Sequence, residues 1–207
     1  PGIHKMETGL IQFFSKASMR NPHFDDGDIE TLGNSISETL NMKQRAAVVM
    51  ALRNSISMIS GGAGVGKSYT VASINAICKS RDLHVTLTAP TGKAAKRLEE
   101  VSGDPGVTIH RLLGYDGKAF SRDKANPIDT DVLIVDEFSM VDVVLAWHLF
   151  EAVDLGRTSI VLVGDHNQLP PVGPGNILRD LIQTKSIPTV ILDHVVRQAG
   201  VLKDNCT

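Results

Sequence analysis

A glycine-rich stretch with the sequence GGAGVGKS, at residues 61–68, has the residue types and spacing best suited to chemistry. It matches the pattern G-x-x-x-x-G-K-S/T in full, after a strand-like segment and before a helix-like one. Small residues allow backbone N–H groups to surround phosphate oxygens, and the following helix directs its positive N-terminus at the same phosphates. We predict a phosphate-binding loop in which Lys67 reaches the β- and γ-phosphates and Ser68 binds Mg²⁺. An ordinary glycine-rich turn is the weaker alternative.

Two adjacent acids follow an apolar segment in DVLIVDEFSM, at residues 131–140. Four apolar residues precede Asp136 and Glu137, which indicates that both acids stand at the carboxyl end of a buried strand. A phosphate-binding loop calls for such a carboxylate on a neighbouring strand, so we predict that Asp136 holds Mg²⁺ through water. Glu137 is predicted to be the general base that aligns and deprotonates the attacking water. Two solvated acids at a strand end are the alternative.

A third polar cluster follows another strand-like segment, in VLVGDHNQLPPVGPG at residues 161–175. Asp165 and Gln168 are predicted to sense the γ-phosphate, because a glutamine positions the attacking water in other phosphate-cleaving enzymes. Prolines at positions 170, 171 and 174 stiffen the chain after this cluster. A proline-rich loop without a role is the alternative.

The elements that must position these groups alternate along the chain from about residue 55. The strand candidates lie at 55–60, 84–89, 131–136, 159–164 and 189–193, and the helix candidates at 67–80, 91–101, 141–153 and 175–184. The strands are short and apolar on both faces, which is typical of a parallel sheet buried between two helical layers. The alternation predicts an α/β fold with a doubly wound parallel sheet, whose ligands bind at the carboxyl ends of the strands.

The first 54 residues lack this alternation and contain three helix-like segments, METGLIQFFSKA, IETLGNSISETL and NMKQRAAVVMALRN. We predict a short helical arm at 1–54 that packs on, or leads into, a P-loop NTPase domain at 55–207. Asn41 is suited to be the N-cap of the last helix. The polar segment 115–130 contains glycine and proline, so it is predicted to be a mobile surface loop.

Composition excludes several classes of function. The net charge is −2, so any contact with nucleic acid must use a local patch rather than a global positive field. Aromatic residues make up only 4% of the chain, which argues against a base-stacking platform. No apolar run approaches the roughly 20 residues of a membrane-spanning helix. Cys78 and Cys206 lack metal or redox spacing and are interpreted as reduced thiols, so we expect a cytoplasmic protein without membrane contact.

Six stretches together resemble one protein family. GGAGVGKSYT, TAPTGKAAKRL, VDEFSMVD and VGDHNQLPPVGPG are similar to the motor-domain motifs of superfamily 1 helicases. TIHRLLG and VVRQAG narrow the resemblance to the RecD-like branch, which moves 5′-to-3′. The resemblance covers about 44–200 and implies a RecA-like fold. Conjugative relaxase-helicases share a similar set of motifs and are the nearest alternative.

The resemblance implies an ATP site and its catalytic residues. Gln44 matches the glutamine that reads the adenine, with a solvated helix residue as the alternative. Arg197 matches the arginine that the family places against the γ-phosphate, where it stabilises the charge of the transition state. The expected nucleotide-binding set is Gln44, Gly61, Gly62, Ala63, Gly64, Val65, Gly66, Lys67, Ser68 and Tyr69. The expected catalytic set is Lys67, Asp136, Glu137, Gln168 and Arg197.

The same resemblance implies contacts with single-stranded DNA. The expected residues are Thr88, Pro90, Thr91 and Lys93 in one motif and Thr108 and His110 in a second. A capping or core residue is the alternative for His110, and Lys96 and Arg97 are interpreted as a solvated helix face. Hydroxyls, backbone N–H groups and helix N-termini contact phosphates without reading sequence, as a translocating motor requires. Few basic residues lie here, so we expect weak binding and a shallow dependence on salt.

For the whole protein, the resemblance implies an ATP-dependent DNA helicase of recombination or repair, in the manner of the exodeoxyribonuclease V alpha subunit. Its partners would be single-stranded DNA and further helicase or nuclease subunits. Such helicases place ATP between two RecA-like halves, and this chain ends ten residues after Arg197. We therefore expect the first motor domain of a longer protein, nearly inactive alone, with a natural remnant as the alternative. A nucleotide-gated interaction module without motor activity is a further alternative.

Overall fold

A computed structural model describes residues 2–15, 20–36 and 38–193 of the chain. The strands of this part are β1 (Ile56–Gly61), β2 (Val85–Ala89), β3 (Gly106–Thr108), β4 (Val132–Val135), β5 (Ser159–Gly164) and β6 (Thr189–Leu192). Its helices are α1 (Ile3–Phe14), α2 (Asp26–Ser35), α3 (Met42–Arg53), α4 (Lys67–Ser80), α5 (Gly92–Ser102), α6 (Ile109–Leu112), α7 (Val143–Glu151) and α8 (Ile177–Thr184), with a 3₁₀ turn at Phe138–Met140.

The strands form one sheet in the order β3-β2-β4-β5-β1-β6, and every pairing is parallel. The prediction of an α/β fold with a doubly wound parallel sheet is therefore confirmed. All five predicted strands and the four helices predicted between them are present. Strand β3 was not predicted, because three residues are too few to show an apolar pattern.

Strand β4, which precedes Asp136 and Glu137, is not a neighbour of β1. Strand β5 lies between them and pairs with both. The prediction that the two acids stand on the strand next to the glycine loop is therefore wrong. Because strands lie about 4.8 Å apart, the axes of β1 and β4 are separated by about 10 Å. The end of β5 and the loop that follows it therefore lie between the glycine loop and the two acids.

Helices cover both faces of the sheet and bury two apolar clusters. Alternate residues of the central strands point to opposite clusters, as the two-residue period of a strand requires. In β4, Leu133 and Val135 join the cluster under α1, α7 and α8, whereas Val132 and Ile134 join the cluster under α2, α3, α4 and α5. The strands are consequently buried between the two clusters, and most of their residues are apolar on both faces.

The three N-terminal helices are divided between the two layers. Helix α1 packs on α7 so closely that a Cβ atom at Gly9 would lie 1.9 Å from the Trp147 ring. Helix α3 contacts α4 and β6 on the opposite face, and α2 packs on α3. Helix α2 begins at Asp26, before the predicted segment, because Asp25 and Asp28 form a capping box. A division of the chain after residue 54 stays a prediction.

The segment 115–130 contains no helix or strand, as predicted, and two of its carboxylates accept hydrogen bonds from its own backbone. The Asp116 carboxylate accepts hydrogen bonds from the Lys118 and Ala119 N–H groups, and the Asp123 carboxylate accepts two more from residues 125 and 126. Its mobility stays a prediction. Across the described ranges, none of the helices combines the length and apolarity that crossing a membrane requires.

Candidate nucleotide-binding site

The glycine loop leaves β1 at Gly61 and enters α4 at Lys67 through a tightly constrained path. Gly64 and Gly66 have φ values of 77° and 87°, in the left-handed region that favours glycine. A Cβ atom at Gly61 would lie 2.6 Å from the Leu192 carbonyl oxygen and 2.8 Å from Val65 Cγ2. Any side chain at Gly61 would therefore push β6 or the loop out of place. The loop is a cradle that only a glycine-rich sequence can form.

The Lys67 side chain folds back onto the glycine loop. Its Nζ atom donates hydrogen bonds to the Gly61 carbonyl at 2.6 Å and the Gly62 carbonyl at 2.8 Å. The ammonium group is thus held at the loop, where phosphate oxygens would meet both its charge and the first turn of α4. Ser68 follows at the second position of α4 and is half-buried, whereas Tyr69 is 68% exposed.

Gln44 is buried behind the loop, with 3% of its surface exposed. Its Oε1 atom accepts a hydrogen bond from the Asn41 N–H group, and its Nε2 atom donates to the Val65 carbonyl at 3.3 Å. The interpretation of Gln44 as a solvated helix residue is therefore wrong. The same amide completes the cap of α3 and contacts the glycine loop, which couples that helix to the loop.

Asp136 and Glu137 occupy the end of β4 in a fixed geometry. The Asp136 N–H group donates to the Thr88 carbonyl at 2.9 Å, and the Glu137 N–H group donates to Asp136 Oδ1 at 2.8 Å. Glu137 has a φ of 51°, which is unusual for a residue with a side chain. Strain of this kind concentrates at functional positions.

Burial raises the pKa of Asp136 above its ordinary value, and the negative charge of Glu137 adds to the rise. The Glu137 N–H group and the positive charges of Lys67 and Arg97 act on the Asp136 pKa in the opposite direction. Lys67 and Asp136 are therefore close enough to interact electrostatically, although their strands are not neighbours. The glycine loop follows β1 and the acid pair follows β4, so both lie at the carboxyl edge of the parallel sheet.

The loop after β5 contacts both parts of this site. Ser60 of β1 is level with Gly164 of β5, and the Ser60 hydroxyl lies 2.8 Å from Nδ1 of His166. Gln168 Oε1 accepts a hydrogen bond from the Ser139 hydroxyl at 3.2 Å, in the 3₁₀ turn that follows Glu137. Asp165 is 8% exposed, and its Oδ1 atom accepts a hydrogen bond from the Asn167 N–H group. The loop thus contacts both the strand that leads into the glycine loop and the turn that follows the acid pair.

The three threonines expected to contact DNA each have a local hydrogen-bond partner. The Thr88 side chain is fully buried and donates to the Val107 carbonyl at 2.9 Å. Thr91 accepts a hydrogen bond from the Ala94 N–H group and caps α5, and Thr108 caps α6 in the same way. Two helix N-termini therefore begin at one sheet edge, directly after β2 and β3. The half-buried Pro90 and exposed Lys93 flank Thr91.

Comparisons with known proteins identify the family. Residues 44–174, more than half of the chain, match the family described as AAA domain. The chain is 42% identical over 161 residues to the ATP-dependent RecD2 DNA helicase of Deinococcus radiodurans, covering 78% of this chain and 22% of that protein. The chain belongs to the RecD-like helicases. The RecBCD enzyme subunit RecD of Buchnera aphidicola is 32% identical to this RecD-like chain over 200 residues, covering 86% of this chain and 33% of the subunit.

The fold of the RecD-like chain is also similar to that of a solved helicase. The crystal structure of Pif1 helicase from Candida albicans aligns with a TM-score of 0.55 and 27% identity, covering 78% of this chain and 41% of that chain. The expected RecA-like motor fold is therefore confirmed. The RecD-like chain spans only 22% and 33% of the lengths of the two curated relatives.

A magnesium ion would fit this RecD-like site if the nucleotide supplied part of its coordination. Within the described ranges, no group of three or more His, Cys, Asp or Glu side chains could hold a metal ion. Ser68 and Asp136 offer a hydroxyl and a carboxylate, and Mg²⁺ commonly takes one or two protein oxygens together with substrate phosphates and water.

Three residues near the RecD-like site were not predicted. Arg97 is exposed, as expected for a solvated helix face, but its positive charge lowers the pKa of Asp136, which was not predicted. Ser139 and His166 meet partners far away in sequence, so no local pattern could have identified them. His110 is exposed and is therefore not a core residue, and Thr108 caps its helix. Arg197 lies outside the described residues.

Proposed function

We propose that this chain is the first motor domain of a RecD-like helicase that couples ATP hydrolysis to 5′-to-3′ movement on single-stranded DNA. The observation that carries the proposal is the meeting of three segments at one sheet edge. These are the glycine loop with Lys67, the acid pair that follows β4, and the loop after β5 with Gln168. The match to the AAA domain family and the names of the RecD relatives support the same conclusion.

In the proposed site, the backbone N–H groups of the loop and the Lys67 ammonium group bind the triphosphate. The hydrogen bonds of Lys67 to two loop carbonyls place its charge there before a ligand arrives, which lowers the cost of organising the site. Ser68 and Asp136 would hold Mg²⁺, which neutralises charge on the phosphates. Gln44 is proposed to recognise the adenine through its side-chain amide, which would have to exchange its hydrogen bond to the Val65 carbonyl for one to the base.

Glu137 is proposed to accept the proton of the attacking water. Its backbone N–H group donates a hydrogen bond to Asp136, and the residue directly follows a buried strand. The point at which its side chain leaves the backbone is therefore fixed. Gln168 is proposed to respond to the γ-phosphate and to pass the change to the turn after Glu137 through Ser139. A group that stabilises transition-state charge is also needed, and Arg197 is proposed for that role.

The proposed DNA path runs over the ends of β2 and β3. The N-terminus of α5 lies at this edge and can bind phosphates through backbone N–H groups. Lys93 and His110 add exposed side chains at the same edge. A cytoplasmic location and further helicase or nuclease subunits are proposed from the RecD relatives. The comparisons do not favour a conjugative relaxase or an interaction module without motor activity.

Equilibrium binding of a fluorescent ATP analogue with Mg²⁺ tests the nucleotide site. Lys67→Ala should abolish binding, whereas the control Lys5→Ala should bind as the wild type does, because Lys5 is an exposed residue of α1. Equal binding by Lys67→Ala and the wild type would overturn the proposal.

Hydrolysis in the presence of single-stranded DNA tests the assignment of the base. Glu137→Gln should retain nucleotide binding and lose any slow turnover of the chain, with Glu30→Gln on α2 as the control. Hydrolysis by Glu137→Gln at the wild-type rate would show that another group activates the water.

A further inference from the structure

Four aromatic rings form a contiguous cluster beside the proposed DNA path. The ring centroids of His110 and Tyr115 are 5.5 Å apart, those of Tyr115 and Phe120 are 4.9 Å apart, and those of Phe120 and His148 are 4.5 Å apart. His110 also lies 5.9 Å from Phe120. We name the surface formed by His110, Tyr115 and Phe120 the aromatic platform, and His148 of α7 supports it from below.

The platform is open to solvent at one end and anchored at the other. Tyr115 is 44% exposed and His110 is exposed, whereas Phe120 and His148 are half-buried. Burial lowers the pKa of His148, which favours a neutral ring beneath Phe120. The other phenylalanines near this layer, including Phe138 and Phe150, are buried in the core. The exposure of Tyr115 and His110 therefore distinguishes them from the aromatic residues that pack in the core.

Backbone hydrogen bonds hold the platform in place. The Tyr115 N–H group donates to the His110 carbonyl at 2.9 Å, and the Ser121 N–H group donates to the Leu113 carbonyl at 3.0 Å. Gly114 has a φ of 64°, and a Cβ atom there would lie 2.1 Å from the Ser121 hydroxyl oxygen. The turn that brings the rings together therefore requires glycine at this position. Because these hydrogen bonds already form the turn, a ligand would not have to create it.

The charge around the platform differs from that of the whole chain. Residues 110–124 contain four cationic side chains, Arg111, Lys118, Arg122 and Lys124, against two acidic ones, Asp116 and Asp123. Both carboxylates accept hydrogen bonds from backbone N–H groups of the loop, and those at Asp116 lower its pKa. Glu151 is the further acid beside Phe120 and His148. A chain with a net charge of −2 thus has a local cationic excess around exposed rings.

We propose that the aromatic platform stacks the bases of single-stranded nucleic acid. The inference rests on the proposed function, because His110 begins the platform directly after the N-terminus of α6 at the proposed DNA path. Stacking on aromatic rings accepts any base, so it suits a motor that must ignore sequence. Cationic residues around the rings would meet the phosphates of the same strand. The low aromatic content of the chain had argued against such a platform, but Tyr115 and Phe120 meet here and are joined by two histidines.

Fluorescence anisotropy of a labelled 12-residue oligothymidine at low salt, with the full chain, tests the platform. Tyr115→Ala should weaken binding on the order of tenfold, and Tyr115→Phe, which keeps the ring, should bind within about twofold of the wild type. Ile11→Ala, at an apolar position of α1 that is 70% exposed, should have no effect. A strand of equal length with abasic sites has no bases to stack. It should bind the wild type weakly, and it should bind Tyr115→Ala with the same weak affinity.

Binding of the fluorescent ATP analogue, measured for each variant, separates failure of the platform from failure of the proposed function. If Tyr115→Ala binds oligothymidine as the wild type does, or if abasic and thymidine strands bind alike, the platform is wrong while the nucleotide site stands. Absence of strand binding by the wild type also overturns the platform. If Tyr115→Ala loses strand binding and keeps nucleotide binding, the platform is supported. Loss of strand binding by Tyr115→Phe as severe as by Tyr115→Ala contradicts stacking.

Discussion

His166 Nδ1 lies 2.8 Å from the Ser60 hydroxyl oxygen, and this contact joins the loop after β5 to the strand that leads into the glycine loop. Ser60 is fully buried, so its hydroxyl depends on a protein partner. The contact links the segment proposed to sense the γ-phosphate with the segment proposed to cradle it. A shift of one loop must therefore break or move a hydrogen bond of the other.

Replacing His166 by Ala should destabilise the chain by about 1–3 kcal/mol, because the buried Ser60 hydroxyl would lose its partner. Ser60→Ala in the same background should add little, since the polar group that requires the hydrogen bond would be gone. Urea unfolding of the wild type, both single variants and the double variant measures this coupling. Additivity within about 0.5 kcal/mol would contradict a direct interaction.

Substitutions can separate the effects of the two hydrogen bonds that the Gln44 side chain forms. Gln44→Ala should destabilise the chain by about 1–2 kcal/mol, because the capping box of α3 and the hydrogen bond to Val65 are both lost. Gln44→Glu keeps an acceptor for the Asn41 N–H group but has no donor for the Val65 carbonyl. We expect Gln44→Glu to bind the ATP analogue more weakly than the wild type while its helix content, measured by circular dichroism, is unchanged. Unchanged nucleotide affinity would remove Gln44 from the proposed site.

The left-handed backbone at Glu137 should store measurable strain. Glu137→Ala keeps the strain, since a Cβ atom remains, whereas Glu137→Gly releases it. Although glycine also raises the entropy of the unfolded chain, we expect Glu137→Gly to be about 1 kcal/mol more stable than Glu137→Ala. Thermal unfolding of the matched pair gives the answer. A glycine variant of equal or lower stability would mean that this backbone conformation costs nothing.

Asp136 should make stability depend on pH in a direction opposite to that of most acids. Its folded-state pKa is raised, so the contribution of the carboxyl group is fully present below about 3.8 and is lost as pH rises through the folded pKa. Asp136→Asn should therefore be more stable than the wild type at pH 7, by about 0.5–2 kcal/mol, the usual range for single stabilising substitutions. The difference should disappear at low pH.

Asp104 provides a control of opposite sign for this pH experiment. Hydrogen bonds from Lys79 and Asn75 lower its pKa, so its contribution is present at neutral pH and is lost as pH falls through the folded pKa. Asp104→Asn should therefore be less stable than the wild type at pH 7 and should approach it in acid. Melting temperatures between pH 3 and pH 8 check both variants. If the melting temperatures of Asp136→Asn and the wild type change in parallel with pH, the folded-state pKa of Asp136 is not raised.

The sequence predicted what depends on local pattern. The glycine loop, Lys67 and the acids at 136 and 137 were placed correctly at strand ends, because a run of apolar residues followed by polar ones marks such an end. The neighbour of β1 was not predicted, because strand order is set by crossover connections and not by the strands themselves. The contact of Ser60 with His166 joins residues 106 positions apart, and no short motif contains both.

Composition was a poor guide to the arrangement of the aromatic residues. An overall content of 4% does not reveal that Tyr115 and Phe120 meet His110 around one turn. The left-handed Gly114 that forms this turn is the last residue of TIHRLLG, and within that motif it was not distinguished from an ordinary loop glycine. The role of the threonine hydroxyls as helix caps also could not be predicted from the sequence, because it depends on where α5 and α6 begin.

The central claim is that a triphosphate lies in the glycine loop with its metal between Ser68 and Asp136. A crystal structure of the chain with a non-hydrolysable ATP analogue and Mn²⁺, recorded with anomalous scattering, tests it most directly. We predict phosphate density against the N–H groups of the loop and beside Lys67, with one anomalous peak next to the Ser68 hydroxyl and the Asp136 carboxylate. Nucleotide bound elsewhere, or a metal peak that neither side chain approaches, would contradict the claim.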